Sequence, residues 1–269
     1  MKTDIEGARA IVTGGALGIG FQLCRQLLLN GAKTVAILDI NESAGLKSMK
    51  QLNNEFGQGR IIFVTTNVAD IKQFEESFMK AVEQMGGLEI MINNAGILNY
   101  PRWYLMVDVN VKGVIHGTLL GINYMGKHKG GKGGIVINIG SIAAFSVVNL
   151  IPIYSATKAA IVAFSRQMGS PYHYERTGVA VKVMCPGRVD TDMIPQTTSP
   201  FLDYIQQEDL GEVERLPGLK PEELAPDVMK LIKDPSTNAA WVKINGEPTC
   251  ALKFINFTDM LTPIESIDK

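Results

Sequence analysis

The sequence is poor in cysteine, histidine and aromatic residues. Its 269 residues include three cysteines, three histidines and 7% aromatics. An odd number of cysteines at scattered positions argues against a disulfide framework or a cysteine metal site, and it suits a reducing compartment. The histidines also lack a spacing that would bind a metal ion together, so we expect no metal. The cysteines are Cys24, Cys185 and Cys250.

The sequence has almost no net charge and no long apolar run at its start. The formal charge is −1 and the sequence pI is about 6.3, so we expect neither nucleic acid nor a membrane as a partner. The lysine-rich segment 127–132 contains glycines and no aromatic residue, which favours a solvated surface loop over a binding patch. Because no signal segment or bilayer-spanning run is evident, a soluble cytoplasmic protein is the expectation.

Short apolar segments alternate with helical segments along the chain. This alternation predicts an α/β fold, a Rossmann-type doubly wound parallel sheet with helices on both faces. The length would also permit two domains, but no break favours them, so residues 1–269 are interpreted as one domain. In such a sheet the ligand binds at the carboxyl ends of the strands. The strand candidates are 9–13, 33–38, 60–65, 88–92, 133–139, 179–185 and 240–245.

A glycine-rich turn joins the first strand candidate to a helical segment. Gly14, Gly18 and Gly20 follow Thr13 in the order T-G-x-x-x-G-x-G. Glycines let the backbone turn sharply and approach a pyrophosphate, which the N–H groups at the start of the following helix attract. The spacing differs from G-x-G-x-x-G, so the general dinucleotide pattern is matched approximately. The alternative is a glycine turn that binds no ligand.

An acidic residue ends the second strand candidate. Asp39 lies nineteen positions after Gly20, where a carboxylate can accept hydrogen bonds from the adenosine ribose. The same carboxylate would repel a 2′-phosphate, and neither Ala16 nor Ile40 could neutralise one, so NAD is favoured over NADP. The alternative is that Asp39 only caps the turn at Asn41.

A tyrosine and a lysine lie four residues apart, with a serine thirteen residues before the tyrosine. Tyr154 and Lys158 fall on one face of a helix, and Ser141 is the upstream serine. A nearby cation favours the phenolate, so we expect Lys158 to lower the pKa of Tyr154 from about 10. The alternative is a half-buried tyrosine above a solvated lysine.

Taken together and in this order, the motifs resemble the short-chain dehydrogenase/reductase family over nearly the whole chain. The turn 93–96, Asn110 and the segment 186–191 add to the resemblance. The subgroup that the chain resembles most comprises the NAD-dependent 15-hydroxyprostaglandin dehydrogenases and their insect alcohol dehydrogenase relatives. The gap of 31 residues from Asn110 to Ser141 and a last strand at 240–244 resemble that subgroup.

The resemblance implies an enzyme that transfers hydride between an alcohol and NAD. Tyr154 would take the alcohol proton, and Ser141 would hold the substrate oxygen. Lys158 would bind the nicotinamide ribose, and Asn110 would support a proton-relay water. Asn67 replaces the family's usual aspartate, and we expect adenine binding to survive that change. The other cofactor contacts implied by the resemblance are Ile19, Ile40, Asn67, Val68, Asn94, Ala95, Gly96, Val189 and Thr191.

The substrate is less well defined by the sequence than the cofactor. Ile151 occupies the position of a substrate-contacting glutamine in the prostaglandin enzymes, which removes a polar contact and argues against a prostaglandin. Residues 192–220 carry recurrent apolar side chains and form either a substrate lid or an amphipathic surface helix. The lid interpretation predicts a hydrophobic secondary alcohol or ketone, and the candidate substrates are of prostaglandin, lipid, terpenoid or steroid type.

Two further expectations concern assembly and class. The helices around 104–125 and 154–168 correspond to the subunit interface of the family, so the resemblance implies a homodimer or homotetramer. The alternative to an enzyme is a catalytically silent NAD-binding relative with a structural or regulatory role, because fold and cofactor binding do not guarantee turnover.

Overall fold

The computed structural model describes residues 4–191, 193, 217–254 and 257–260. Its framework is a sheet with the strand order β3-β2-β1-β4-β5-β6-β7-β8. All neighbouring strands are parallel except the last pair. The strands are β1 Arg9–Thr13, β2 Thr34–Asp39, β3 Ile61–Thr65, β4 Ile90–Asn93, β5 Gly134–Ile139, β6 Val179–Pro186, β7 Ala240–Lys243 and β8 Cys250–Ala251.

The predicted parallel sheet is confirmed, with one addition at its edge. Central strands read as continuous apolar runs because helices cover both faces of the sheet. Val12 in β1, for example, pairs with Ile37 of β2 and Ile92 of β4, and all three are fully buried. The prediction that 240–244 forms the last strand is wrong, because the short exposed strand β8 follows and pairs antiparallel with β7.

Helices cover both faces of the sheet. One apolar layer contains side chains of α1 and α8, and the other contains side chains of α3 and α5. A break separates two of these helices, since α6 ends at Met168 and α7 begins at Pro171, where proline cannot continue a helix. The helices are α1 Gly18–Leu29, α2 Glu42–Phe56, α3 Ile71–Met85, α4 Trp103–Val107, α5 Val114–Met125, α6 Pro152–Met168, α7 Pro171–Thr177 and α8 Pro221–Lys233.

A π-helical segment, Asp108–Gly113, joins α4 to α5 without a break. The whole helical run Trp103–Met125 is long and apolar enough to span a membrane by length and composition, so the expectation that no such run exists does not hold. Of its most apolar window, 44% is buried inside the protein, against the neighbouring strands and helices. A core helix of a sheet protein can have the same length and apolar composition, and the partial burial of this run is compatible with such a helix.

Candidate active site

The predicted glycine turn lies at the carboxyl end of β1 and is tied to the end of β4. The hydroxyl of Thr13 accepts hydrogen bonds from the backbone N–H groups of Asn94 and Ala95, both at 3.1 Å. In return, Nδ2 of Asn94 donates to the carbonyls of Thr13 and Gly14, both at 3.0 Å. These bonds hold the two loops together at the sheet edge where a ligand is expected.

The glycines of this turn are required by close approach and by backbone angle. A Cβ at Gly20 would lie 2.0 Å from the carbonyl oxygen of Gly14, so no larger residue fits there. Gly14 and Gly18 adopt φ of 62° and 53°, a region that side chains disfavour. A Cβ at Gly18 would also lie 3.1 Å from the methyl group of Thr191, which places the segment after β6 against the turn. Ile19, in contrast, packs partly buried against the core.

Asp39 uses both carboxylate oxygens at the end of β2. Oδ2 accepts from the backbone N–H of Ala16 at 3.0 Å, and Oδ1 accepts from that of Asn41 at 2.9 Å. Asp39 therefore both caps the turn at Asn41 and lies beside the glycine turn. Each oxygen keeps a further lone pair for a ribose hydroxyl. Ile40 is 67% exposed, so it forms an open apolar surface beside this position.

Ser141, Tyr154 and Lys158 meet at the carboxyl end of β5. Ser141 starts a short turn after the strand, and its hydroxyl accepts from the N–H of Ala143 at 3.2 Å. Tyr154 lies in the first turn of α6, and Nζ of Lys158 is 5.6 Å from the centre of its ring. The amine donates to the carbonyl of Ile139 at 2.9 Å and is buried, so the interpretation as a solvated lysine is wrong.

The expected effect of Lys158 on Tyr154 is wrong for the protein alone. Burial raises the pKa of Tyr154 to about 12, and a hydrogen bond with the Ser141 side chain opposes that rise. Burial also lowers the pKa of Lys158 to about 8, which the neighbouring Cys185 thiol opposes. The prediction included the attraction between the phenolate and a nearby cation, but it left out the loss of hydration that burial imposes on both Tyr154 and Lys158. Burial therefore outweighs the neighbouring amine in setting the pKa of Tyr154.

Asn110 lies in the π-helical segment and is fully buried. Its Oδ1 accepts from the N–H of Ile97 at 2.8 Å, and its Nδ2 donates to the carbonyl of Ile97 at 2.9 Å. A Cβ at Gly96 would lie 3.4 Å from Oδ1 of Asn110 and 3.6 Å from Nζ of Lys158. The amide and the amine therefore face the same loop. Single π turns inside α-helices are frequent at functional sites.

The remaining predicted cofactor residues lie along the same edge. Oδ1 of Asn67 accepts from the N–H of Ala69 at 3.1 Å, so its side chain supports the loop after β3. Val68 is 7% exposed and packs against Gly113, where an added Cβ would lie 3.1 Å from the Val68 side chain. Val189 forms a parallel bridge with Leu219, which places the described part of the predicted lid beside the loop after β6.

Two threonines at the site have roles that the sequence reasoning did not assign. Thr13 joins the glycine turn to β4, and Thr157 contacts both Tyr154 and Asn110 through its hydroxyl. Thr13 begins the glycine-turn motif, and Thr157 directly precedes Lys158 in the sequence. In the sequence, a threonine within an apolar stretch would have indicated such a role, because a buried hydroxyl needs hydrogen-bond partners.

Comparisons with known proteins agree with this geometry. The family model described as short chain dehydrogenase matches residues 8–200. The chain belongs to the short-chain dehydrogenase family.

Relatives in this family include the 15-hydroxyprostaglandin dehydrogenase [NAD(+)] of Mus musculus. It is 38% identical over 261 residues, which are 95% of this chain and 94% of that protein. Alcohol dehydrogenase 1 of Ceratitis capitata is 31% identical over 211 residues, 78% of this chain and 80% of that protein. Both subgroups are those that the sequence resembles.

Solved structures agree with the family. A short-chain dehydrogenase from Novosphingobium aromaticivorans is similar, with a TM-score of 0.70 and 29% identity over 86% of this chain and 78% of that one. A dehydrogenase/reductase from Sinorhizobium meliloti 1021, at 24% identity over 90% of this chain and 96% of that one, shares the fold with a TM-score of 0.72.

The residues of this short-chain dehydrogenase fit its predicted cofactor, NAD. A Cβ at Gly20 would collide with the carbonyl of Gly14, so glycine lets the turn close tightly at the start of α1, whose free N–H groups can bind a pyrophosphate. Asp39 presents oxygens for a ribose, and no basic residue stands at Ala16 or Ile40 to bind a 2′-phosphate. The relatives named with NAD(+) agree with this fit.

Tyr154 packs against a cluster of buried side chains. Tyr100, Ala143 and Ile151 are buried at 4%, 5% and 9% exposure and form one cluster. Burial raises the pKa of Tyr100 to about 12, which keeps its hydroxyl neutral. Partly buried members of this apolar wall are Leu98, Val148, Leu150 and Tyr154 itself. Residues 192 and 194–216, the main part of the predicted lid, lie outside the described residues.

Proposed function

We propose that this short-chain dehydrogenase is an NAD-dependent oxidoreductase that interconverts a hydrophobic secondary alcohol and its ketone. The observation that carries the proposal is the convergence of Ser141, Tyr154 and Lys158 at the carboxyl end of β5, beside the glycine turn. A hydroxyl acid, a buried amine and a dinucleotide turn at one sheet edge form the parts of a hydride-transfer site.

Bound NAD⁺ would supply the hydride acceptor, and its positive ring would add to the cationic charge that Lys158 already provides. With substrate bound, Ser141 would donate its one hydroxyl proton to the substrate oxygen. Without substrate, its hydrogen bond with Tyr154 opposes the rise in the pKa of that tyrosine. Tyr154 takes the hydroxyl proton of the alcohol. Lys158, with Nζ fixed by the carbonyl of Ile139, places a cation beside the phenol ring. Catalysis then depends on position and electrostatics.

The apolar wall around Tyr154 supports an uncharged hydrocarbon next to the reacting carbon. Ile151 cannot hydrogen-bond a substrate, and its neighbours Tyr100 and Ala143 bury it. A polar substrate group at this position would lose its water without gaining a partner, which costs about 1–3 kcal/mol. We therefore favour lipid-, terpenoid- or steroid-type alcohols over prostaglandins.

The test is NADH formation across a panel of aliphatic, terpenoid, steroid and prostanoid secondary alcohols, with NAD⁺ and separately with NADP⁺. We expect turnover with NAD⁺ and an apolar alcohol. Binding of NADH without turnover, and without NADH oxidation when ketones are added, would instead favour the catalytically silent relative.

Assembly as a cytoplasmic homodimer or homotetramer is also proposed. Large apolar side chains remain exposed on the helical run α4–α5, with Trp103, Tyr104 and Leu119 at 52%, 54% and 41%. Such a surface is typical of a subunit interface. Sedimentation equilibrium tests this proposal, since a monomer at micromolar concentration would contradict it.

A further inference from the structure

Thr157 connects two residues of the proposed catalytic set through one hydroxyl. It lies in α6 directly before Lys158 and is 3% exposed. Its Oγ1 donates to the backbone carbonyl of Tyr154 at 2.7 Å and accepts from Nδ2 of Asn110 at 3.3 Å. No charged group takes part in these bonds, so their strength depends on geometry rather than on pH.

The hydroxyl of Thr157 is the partner that completes the amide of Asn110. The amide has two Nδ2 protons, of which one goes to the carbonyl of Ile97 and the other to Thr157. Asn110 is fully buried, so water cannot replace a lost partner. An unpaired buried donor costs about 1–3 kcal/mol, and the amide would have to move to avoid that cost.

A shift of the Asn110 side chain would displace the loop that faces the amine of Lys158. Asn110 supports Ile97 through both of its amide atoms, and Ile97 follows Gly96, the loop residue that faces Nζ of Lys158. On the other side, the bond from Thr157 to the carbonyl of Tyr154 fixes the first turn of α6. One threonine therefore joins α6, the π-helical segment and the loop after β4.

We propose that Thr157 is a positioning residue that holds Tyr154, Asn110 and Lys158 in their relative places for proton transfer. It acts through these residues and does not itself touch the substrate. The proposal rests on the proposed function, because it assigns Thr157 a part in the same reaction. The hydrogen bond of Ser141 that favours ionised Tyr154 depends on the same placement.

The test compares three substitutions of Thr157 with a matched control. Thr157→Val keeps the shape and removes the hydroxyl, Thr157→Ser keeps the hydroxyl, and Thr157→Cys keeps a weak donor and acceptor. The control is Thr177→Val. Thr177 is 9% exposed, donates to the carbonyl of His173 at 2.8 Å and accepts from the N–H of Val179 at 3.1 Å, away from the site.

We expect Thr157→Val to lower kcat about tenfold, with the KM for NAD⁺ changed less than about twofold. The acidic limb of the kcat–pH profile for alcohol oxidation, where Tyr154 ionises, should move to higher pH by about half a unit, because Tyr154 loses its placement beside Ser141 and Lys158. Thr157→Ser should restore both kcat and the pH profile, and Thr157→Cys should give an intermediate kcat. Thr177→Val should lower the melting temperature and leave the pH profile unchanged.

A second readout does not need turnover. The ultraviolet absorbance of the phenolate, taken as the difference between each protein and its Tyr154→Phe partner with NAD⁺ present, reports the ionisation of Tyr154 alone. We expect Thr157→Val to shift this titration to higher pH. If the valine variant does not fold, the cysteine variant carries the same comparison.

Unchanged titration and an unchanged pH profile in folded Thr157→Val would overturn the inference and leave the proposed function intact. Rate loss that serine does not restore would also overturn it, since the effect would then come from packing. A shifted titration in a protein that turns over no alcohol would support the inference and contradict the proposed function.

Discussion

The cofactor side and the substrate side of the sheet edge are built in different ways. The cofactor side consists of backbone: the glycine turn, the N–H groups around Asp39 and the loop that Thr13 ties to β4. The substrate side consists of apolar side chains such as Tyr100 and Ile151, which meet although they are distant in sequence. Backbone geometry leaves short motifs in a sequence, whereas a wall assembled by packing leaves none.

The largest expected effect lies where the two sides meet. Ser141→Ala removes the hydrogen bond that opposes the raised pKa of Tyr154, so we expect kcat to fall about a thousandfold with little change in NADH affinity. Ser146→Ala, on the exposed part of the same loop, should have no effect on kcat. An equal loss in both variants would mean that the loop, and not the hydroxyl, matters.

The next effect concerns the cofactor side alone. A methyl group in Gly20→Ala would collide with the carbonyl of Gly14, so we expect NADH binding to weaken about a hundredfold by fluorescence titration. Gly59→Ala is the control, because Gly59 lies away from the turn and a Cβ there meets no atom within 4 Å, although its φ of 79° is positive and that of Gly20 is not. Intact NADH binding by a folded Gly20→Ala protein would contradict the placement of the pyrophosphate.

A smaller effect is expected on the substrate side. Ile151→Gln places a polar group in the apolar wall, so the ratio of kcat/KM for a prostanoid over an apolar alcohol should rise about tenfold. Val147→Gln is the matched control at 93% exposure and should leave the ratio unchanged. A ratio that moves equally in both variants would place the substrate elsewhere.

A small effect on stability is expected at two buried lysines, Lys158 of the proposed site and Lys182 outside it. Burial lowers the pKa of both Lys158 and Lys182 to about 8, and Lys182 donates to the carbonyls of Leu231 and Asp234 near the end of α8. Between pH 8 and about 10.4 the unfolded chain holds more protons, so each lysine contributes stability that rises with pH.

Replacement by methionine should remove this rise. We expect the free energy of unfolding of Lys158→Met and Lys182→Met, relative to the native protein, to fall by up to about 1.4 kcal/mol per pH unit above pH 8. Taking the difference cancels the opposite contribution of the buried Tyr154 and Cys24, whose pKa values burial raises. Denaturant titrations at several pH values provide the measurement, and only Lys158→Met should abolish turnover.

The sequence predicted the sheet and the polar residues of the site because short motifs specify both. The seven predicted strands are present with their ends within two residues of the prediction, and Ser141, Tyr154 and Lys158 lie together as expected. The strand β8 was missed because two exposed residues carry no apolar pattern. The π-helical turn at Asn110 was missed because its residues have the composition of an ordinary helix.

The ionisation of the site could not be predicted from spacing. Two groups on one helical face attract each other at any depth, but the cost of burial depends on how many atoms surround them. That surrounding comes from β5, β6 and the loop after β4, which are distant in sequence from Tyr154. Thr157 was missed for the same reason, since its partner Asn110 lies 47 residues away.

The central claim is that Tyr154 takes the alcohol proton while hydride leaves for NAD⁺. The most direct measurement uses an apolar secondary alcohol deuterated at the carbinol carbon, with mass spectrometry of the NADH formed by the native protein and by Tyr154→Phe. We predict deuterated NADH from the native protein, and from the phenylalanine variant a rate lower by about a thousandfold or more with NADH affinity retained. Equal rates of deuterium transfer in the two proteins would contradict the account.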